Sequence, residues 1–303
     1  QAMSSSALEA LQAQHPTSVL LRIPLQRILP QSTVHASLAL WMGAQQSLVG
    51  LCDTAYIIAP ELKQLHLPDF GRGDQPNLER ILAVQTDVCL FAPFENTRYA
   101  SLERAGIPIV DCADYLETSP LGRAEWMRFL GRLWGVGEKA DSLFAEVEKD
   151  YKSMCKLTEH DQRERSSVFF DLLYGNLWYQ PANKSTIGQI VFDAGGKLSF
   201  QDKTNGGSRA LSVETVLMEA KDADFWLIRS YSNQPLTLAK LAKLNPAYSQ
   251  FKAFKDGKVF VCYTDKTHYF EETAFRPDQL LKDFYKIFHG VADKELHYFE
   301  RLR

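Results

Sequence analysis

The chain has 303 residues and a formal net charge of −3, with 45% hydrophobic and 23% charged residues. A chain of this length and composition can bury two cores, which excludes a disordered protein. The small negative charge and the lack of a long basic run exclude the phosphate-neutralising surface that nucleic-acid binding requires. No window approaches about 18 uninterrupted apolar residues, so the sequence predicts neither a membrane span nor an intact signal peptide.

The first part of the chain predicts an N-terminal α/β lobe at residues 17–136. Within residues 19–111, short β-rich runs alternate with helical patterns. The predicted strands are VLLRI, SLVGL, DVCLF and IPIVD, and the helical patterns include NLERILAV and RYASLERAG. Such alternation is typical of a wound lobe with a largely parallel sheet.

Two helices then follow each other without a strand between them. Ser119 is the predicted N-cap of the first, and Pro120 is its first residue. The second runs roughly over residues 138–156, with apolar side chains on a 3.6-residue period, and would be about 28 Å long. We therefore predict a rigid interlobe helix at residues 137–160.

The alternation resumes in a second predicted α/β lobe at residues 161–303. Its strands are SVFFDLL, DFWLI and KVFVC, and its helices include STIGQIVFDAGG, SVETVLMEA, TLAKLAKL and FRPDQLLKDFYKIFHG. The predicted architecture is two wound α/β lobes joined by one long helix.

The five cysteines indicate core residues. An odd number without CxxC spacing argues against a full disulfide set and against a cysteine-based zinc site. The cysteines are Cys52, Cys89, Cys112, Cys155 and Cys262.

No common catalytic signature is present. GxSxG, P-loop, GxGxxG and HExxH patterns are all missing, so no catalytic residue and no cofactor is predicted. His35, His66 and His268 with Glu271 would be acceptable ligands for zinc or manganese, but no two histidines have the close spacing of a metal motif.

Aromatic residues recur where predicted strands end. Ligands of open α/β sheets bind at the carboxyl ends of strands, so these rings predict the walls of a cleft for a broad, flat or greasy ligand. Arg229 and His268 are the predicted polar or metal-facing contacts. The aromatic candidates are Tyr56, Phe94, Tyr174, Trp178, Tyr179, Tyr231 and Tyr269.

Glu79 and Glu214 hold equivalent positions in the two lobes. Each begins an apolar helical pattern that precedes a predicted strand, so each should lie in a first helical turn and point away from the core. A matched pair on two lobes suggests a symmetric basic partner.

The segments that contain these glutamates also carry a family resemblance. NLERI at residues 77–81, the stretch WYQPANKSTIGQIVFDAGG at residues 178–196 and LSVE at residues 211–214 resemble periplasmic substrate-binding proteins of ABC importers for vitamin B12, iron-siderophores and haem. Thr86 stands where that family usually has proline. The stretch of residues 114–135 is also similar to members of that family.

The resemblance implies a class III fold and a non-enzymatic receptor. Such a receptor would capture an iron complex, a corrinoid or a related tetrapyrrole and deliver it to a membrane permease. Glu79 and Glu214 would each meet an arginine of a permease subunit. The implied protein is a periplasmic monomer, and the serine-rich start fits a spacer to a lipid anchor. The alternatives are a zinc or manganese receptor of the same fold and a tetrapyrrole chelatase.

Overall fold

The computed structural model describes residues 3–16, 18–93, 99–200, 207–232, 234–291 and 296–303. They form two α/β lobes joined by a long helix, the architecture that the sequence predicts. None of the helices in these ranges is both long and apolar enough to cross a membrane. The serine-rich start, expected as a spacer, contains a helix, α1 (Ser5–Gln14), none of whose residues is buried.

The N-terminal lobe is built on a three-stranded parallel sheet. Its strands are β1 (Ile28–Pro30), β4 (Val88–Phe91) and β5 (Ile109–Asp111), in the order β1-β4-β5. SLVGL is not a strand and makes two isolated parallel bridges, from Leu48 to Ile28 and from Leu51 to Asp69. VLLRI is not a strand, because Val19 and Ile23 are 65% and 54% exposed whereas Ile28 is fully buried in the core.

Short elements surround this sheet. The hairpin of β2 (Gly71–Arg72) and β3 (Gln75–Pro76) precedes the helix that carries Glu79. The helices of the lobe are α2 (Thr33–Met42), α3 (Pro60–Gln64), α4 (Leu78–Ala83) and α5 (Ala100–Arg104).

Two helices follow the N-terminal sheet without a strand between them, as the sequence predicts. In α6 (Pro120–Leu133), the N-cap Ser119 accepts a hydrogen bond from Gly122 N at 3.1 Å. The next helix, α7 (Gly137–Glu159), has 23 residues and is about 34 Å long. The two pack closely, since a Cβ added at Gly131 would lie 2.4 Å from the Cβ of Ala140.

The apolar stripe of α7 is shared between two cores. Phe144 and Val147 pack in the core of the N-terminal lobe, and Tyr151 packs in a core of the C-terminal lobe. A hinge within α7 would therefore expose apolar side chains of one lobe or the other, which costs free energy.

The C-terminal lobe is built on a five-stranded sheet with apolar cores on both faces. Its order is β12-β11-β10-β6-β8, with parallel pairing except at the edge strand β12. Its strands are β6 (Ser166–Phe170), β8 (Gly196–Leu198), β10 (Phe225–Ser230), β11 (Val259–Tyr263) and β12 (Glu300–Arg301).

A separate two-stranded antiparallel ribbon adds β7 (Trp178–Pro181) and β9 (Ser208–Leu211), which the sequence patterns did not predict. The helices of this lobe are α8 (Thr186–Asp193), α9 (Val213–Ala220), α10 (Leu238–Leu244), α11 (Lys252–Lys255), α12 (Tyr269–Glu272) and α13 (Pro277–His289).

All five cysteines are free thiols. Four are buried, and burial raises the pKa of each of these thiols to about 12. Cys155 is only partly buried, and the pKa of its thiol is raised to about 11, mainly by desolvation.

Candidate functional site

An open cleft lies between the lobes at the carboxyl ends of their strands. Its volume is about 800 Å³, which is large enough for a drug-sized or cofactor-sized ligand. Residues from both lobes line it: Gln31, Ser32, Thr33, Val34, Asp53, Tyr56 and Ile58 from the N-terminal lobe, and Tyr174, Tyr231, Thr264, Thr267, Phe270 and Glu271 from the C-terminal lobe.

Three of the predicted aromatic residues meet in this cleft. Tyr56 and Tyr231 come from opposite lobes, and their rings are in edge-to-face contact with centroids 5.6 Å apart. Tyr56, Tyr174 and Tyr231 are 53%, 80% and 62% exposed, so their faces are available to a ligand.

Local backbone geometry places these tyrosines. Tyr174 stands at a tight turn in which its N–H donates to Leu177 O at 2.9 Å, and Gly175 adopts a φ of 62° that favours glycine. Tyr56 ends a short 3-10 helix that begins after Asp53, whose own φ is 55°. Tyr231 directly follows β10.

Gln31, which follows β1, holds the base of the cleft together. Its side-chain amide donates to Tyr99 Oη at 3.0 Å and to Gly73 O, while its Oε1 accepts from Ala92 N at 2.6 Å. The side chain is buried, so this satisfied amide fixes the segments that follow β1 and β4.

A carboxylate joins the two lobes beside the cleft. Glu271, on α12, accepts hydrogen bonds from Ile58 N at 2.7 Å and Ala59 N at 3.1 Å, at the start of α3 in the other lobe. Its Oε2 also lies 2.8 Å from His268 Nδ1. We call Glu271, His268 and the backbone of Ile58 and Ala59 the interlobe clasp.

The clasp belongs to a wider contact. Helix α12 packs against α2, and Ala274 and Phe275, which follow α12, are buried in the core of the N-terminal lobe. The lobes are thus connected not only through α7 but also through the segment around α12.

Two predicted cleft residues are buried in the C-terminal lobe and cannot be ligand walls in this structure. Trp178 is fully buried, and its indole N–H donates to Phe170 O at 2.8 Å. Tyr269 is 2% exposed and packs edge-to-face on Tyr298. Desolvation raises the pKa of Tyr269 to about 12. Both rings pack in apolar cores of this lobe, Trp178 on one face of the sheet and Tyr269 on the other.

Tyr179 is on the opposite face of β7 from Trp178, because successive side chains of a strand alternate. It is 45% exposed and is not among the residues that line the cleft. Phe94, the remaining aromatic candidate, lies outside the described residues.

Arg229 forms its ion pair within the C-terminal lobe and not with the cleft. Its guanidinium forms a two-pronged ion pair with Asp171, with Nε 3.0 Å from Oδ1, and its backbone N–H donates to the same oxygen at 3.0 Å. The structure therefore corrects the expectation of a ligand contact at Arg229. The pair braces the ends of β6 and β10 instead.

The histidines of the metal alternative are not assembled. His35 is buried, with its Nε2 atom 3.0 Å from Asp114 Oδ1. His66 is exposed, and His268 belongs to the interlobe clasp. His268 lines an adjoining pocket of about 340 Å³ and not the cleft itself. Within the described ranges, no group of three or more His, Cys, Asp or Glu side chains could hold a metal ion.

Glu79 and Glu214 are exposed in the first turns of α4 and α9. Asn77 and Ser212 are the respective N-caps, and hydrogen bonds from the Glu214 backbone and from Ser212 lower the pKa of Glu214. Each helix precedes a strand of a parallel sheet, so its first turn lies near the carboxyl edge of that sheet. The topology thus gives both glutamates equivalent places on their lobes.

Sequence patterns did not indicate Asp53, Gln31 or the interlobe role of Glu271. Asp53 and Gln31 each follow a short apolar run, and the position after such a run is the signal that could have found them. No local signal could have found the clasp, because its partners are 213 and 212 residues apart in the chain.

Comparisons with known proteins agree with this architecture. The sequence matches the periplasmic binding protein family over residues 30–265. It is 27% identical over 294 residues to an uncharacterized lipoprotein of Methanocaldococcus jannaschii, covering 92% of this chain and 69% of that protein.

Two solved structures show the same fold. A periplasmic heme-binding protein from Roseiflexus sp. RS-1 has a TM-score of 0.72 and 19% identity, covering 88% of this chain and 99% of that one. An ABC-type Fe³⁺-hydroxamate transport system structure from Saccharomonospora viridis has a TM-score of 0.69 and 21% identity, covering 88% and 93%. Since the family match spans most of the chain, this protein belongs to the periplasmic binding protein family.

Proposed function

We propose that this protein captures an iron complex, a corrinoid or a related tetrapyrrole in the interlobe cleft and delivers it unaltered to an ABC transporter permease. The observation that carries the proposal is the cleft of about 800 Å³ between the lobes, whose exposed tyrosines offer flat apolar surfaces with polar tips. Similar proteins are described as binding heme or as part of Fe³⁺-hydroxamate transport.

Capture would proceed with small lobe movements. The shared stripe of α7 and the interlobe clasp both resist a wide opening, so a largely preformed cleft suits this molecule. A periplasmic, lipid-anchored location would fit the family and the lipoprotein relative.

Delivery would use the two exposed glutamates. Glu79 and Glu214 would each pair with a basic residue of one permease subunit, and such rim charges set orientation more than affinity. Each helix also presents an apolar side chain one turn further on, Leu82 at 45% exposure and Met218 at 76%. A carboxylate with an apolar neighbour on each lobe would form a two-point contact.

The ligand experiment is a calorimetric titration of the protein with cobalamin, cobinamide, haem and ferric hydroxamate complexes. We expect saturable one-to-one binding of at least one compound, with release of the unchanged compound on denaturation. Tyr56→Ala and Tyr231→Ala should each weaken that binding. Tyr179→Ala is the matched control, because this exposed tyrosine does not line the cleft. Chemical conversion of the ligand, or equal losses in all three variants, would contradict the proposal.

The docking experiment uses the double variant Glu79→Arg with Glu214→Arg. Pull-down with the permease in detergent should lose the complex, while the ligand affinity of the isolated protein stays the same. Glu103→Arg, an exposed glutamate of α5, serves as the control. Uptake at the normal rate by the double variant would show that the two glutamates do not dock to the permease and only stabilise the first turns of their helices.

A further inference from the structure

The charges of the cleft indicate which ligands it prefers. We infer that the cleft selects positively charged complexes over neutral and negatively charged ones of the same shape, with Asp53 as the residue that determines this preference. The inference rests on the proposed function, because it concerns the same cleft.

The described lining of the cleft contains two carboxylates, Asp53 and Glu271, and no lysine or arginine. Arg229 does not offset them, because its guanidinium is paired with Asp171. Among the described residues, the lining therefore supplies negative side-chain charge only.

Asp53 is the carboxylate that can act on a ligand. Its Oδ2 accepts a hydrogen bond from Gly73 N at 2.8 Å, and its Oδ1 has no hydrogen-bond partner within the described part of the chain. The side chain is half-buried at the wall of the cleft, where its charge is less screened than on an open surface.

Glu271 contributes less, because its charge is already engaged. Both of its oxygens accept backbone hydrogen bonds at the start of α3, and His268 lies against Oε2. The positive ends of α2 and α3 are worth about half a charge each, so they do not cancel two full negative charges. The charge balance of these described groups is negative.

The aromatic walls act in the same direction. Tyr56, Tyr174, Tyr231 and Phe270 line the cleft and are all exposed. The face of an aromatic ring carries partial negative charge, so it attracts cations and does not attract anions. Exposed ring faces beside an uncompensated carboxylate are a combination that recognises positive charge.

The size of the effect follows from Coulomb's law. A unit charge about 7 Å from the Asp53 carboxylate, at an effective dielectric constant of about 40 for a cleft that is open to water, corresponds to a five- to tenfold difference in affinity. A change of ligand charge by one unit should therefore be measurable by calorimetry, and the difference should shrink at high salt.

The experiment compares ligands that differ mainly in charge. Ferrioxamine B carries a free ammonium group and a net charge of +1, and its N-acetyl derivative is neutral with the same iron coordination. Diaquacobinamide is positive and dicyanocobinamide is neutral. We expect the positive member of whichever pair binds to bind about five- to tenfold more tightly to the unaltered protein.

Asp53→Asn tests the residue. Asparagine keeps an oxygen that can accept from Gly73 N, so the fold around the cleft is preserved while the charge is lost. The variant should abolish the preference within the pair. Asp256→Asn is the control, because Asp256 is exposed after α11, at the amino end of β11.

The outcomes separate the two proposals. Equal binding of the charged and neutral members, or a preference that survives in Asp53→Asn, would overturn the charge inference while leaving the receptor function intact. If no member of either pair binds but haem, which carries two carboxylates, does, the charge inference also fails while the receptor function stands. If neither these compounds nor cobalamin and other ferric hydroxamate complexes bind, the proposed function fails and the inference fails with it.

Discussion

The interlobe clasp offers a sharp test of how the lobes are held together. Glu271 is 3% exposed, and its carboxylate accepts from Ile58 N, Ala59 N and, in one tautomer, His268 Nδ1. Glu271→Gln keeps one acceptor oxygen but turns an amide N–H₂ group towards donors. The N–H groups that face it would then have no acceptor.

The expected cost can be worked from these contacts. A hydrogen bond to a charged group contributes about 1.5–3 kcal/mol, and an unsatisfied buried N–H costs about 1–3 kcal/mol. We expect Glu271→Gln to lower the free energy of unfolding by about 2 kcal/mol. Glu271→Ala should lower it by about 3–4 kcal/mol, because it also removes packing between the lobes. At about 2 °C per kcal/mol for a chain of this size, the melting temperature should fall by about 4 °C for the glutamine variant.

The assay is urea unfolding followed by circular dichroism, with scanning calorimetry for the melting temperature. Glu61→Gln is the matched control, since Glu61 is an exposed first-turn carboxylate of the same helix, α3. It should change the free energy of unfolding by no more than about 0.5 kcal/mol. A Glu271→Gln variant as stable as the unaltered protein, or an equal loss in Glu61→Gln, would refute the role of the clasp.

Three further predictions follow from other parts of the molecule. Leu82→Ser with Met218→Ser should weaken the proposed permease complex several-fold without changing ligand affinity, as measured by pull-down and calorimetry, because both side chains are exposed beside Glu79 and Glu214, the proposed docking residues. Burial alone would raise the pKa of Asp114, but the hydrogen bond from His35 and the nearby Arg123 guanidinium hold it below its usual value. Its ionised form therefore stabilises the fold above the pKa of an unfolded aspartate, and this stability is lost as pH falls through the lowered value. Asp114→Asn should reduce the melting temperature at pH 7, and the difference should shrink as the pH falls below about 4, the pKa of an unfolded aspartate. Ellman's reagent at pH 8 should modify the native thiols slowly, with Cys155 first, because burial raises the pKa of all five; rapid reaction of two or more thiols would contradict this packing.

The sequence predicted the parts of the fold that depend on local chemistry. Ser119 and Pro120 mark the start of α6, and the apolar period after Gly137 gives α7, because caps and helical periodicity act within a few residues. The same reasoning gave β4, β10 and β11, whose apolar runs are buried. The sequence wrongly predicted a strand at VLLRI, which has the composition of a strand but pairs with no other strand of the described chain. It also missed β7 and β9, which pair with each other and not with the main sheet.

The site was predicted in part for the same reason. The position after a strand identified Tyr56, Tyr174 and Tyr231, because the carboxyl ends of parallel strands face the cleft whatever the details of packing. It could not separate these from Trp178, since an aromatic ring after a strand serves equally well as a wall or as a core residue, and only three-dimensional packing decides which.

The sequence by itself determined the two-lobe pattern, the long helix between the lobes and the exposed first-turn glutamates, because periodicity, capping and the alternation of elements are local properties. Tertiary structure alone decided that Glu271 accepts hydrogen bonds from the other lobe at Ile58 and that Arg229 pairs with Asp171. It also decided that Asp53 Oδ1 lies at the cleft without a hydrogen-bond partner among the described residues. Each of these depends on partners between 20 and 213 residues away, whose approach is fixed by how the cores pack and not by any local preference.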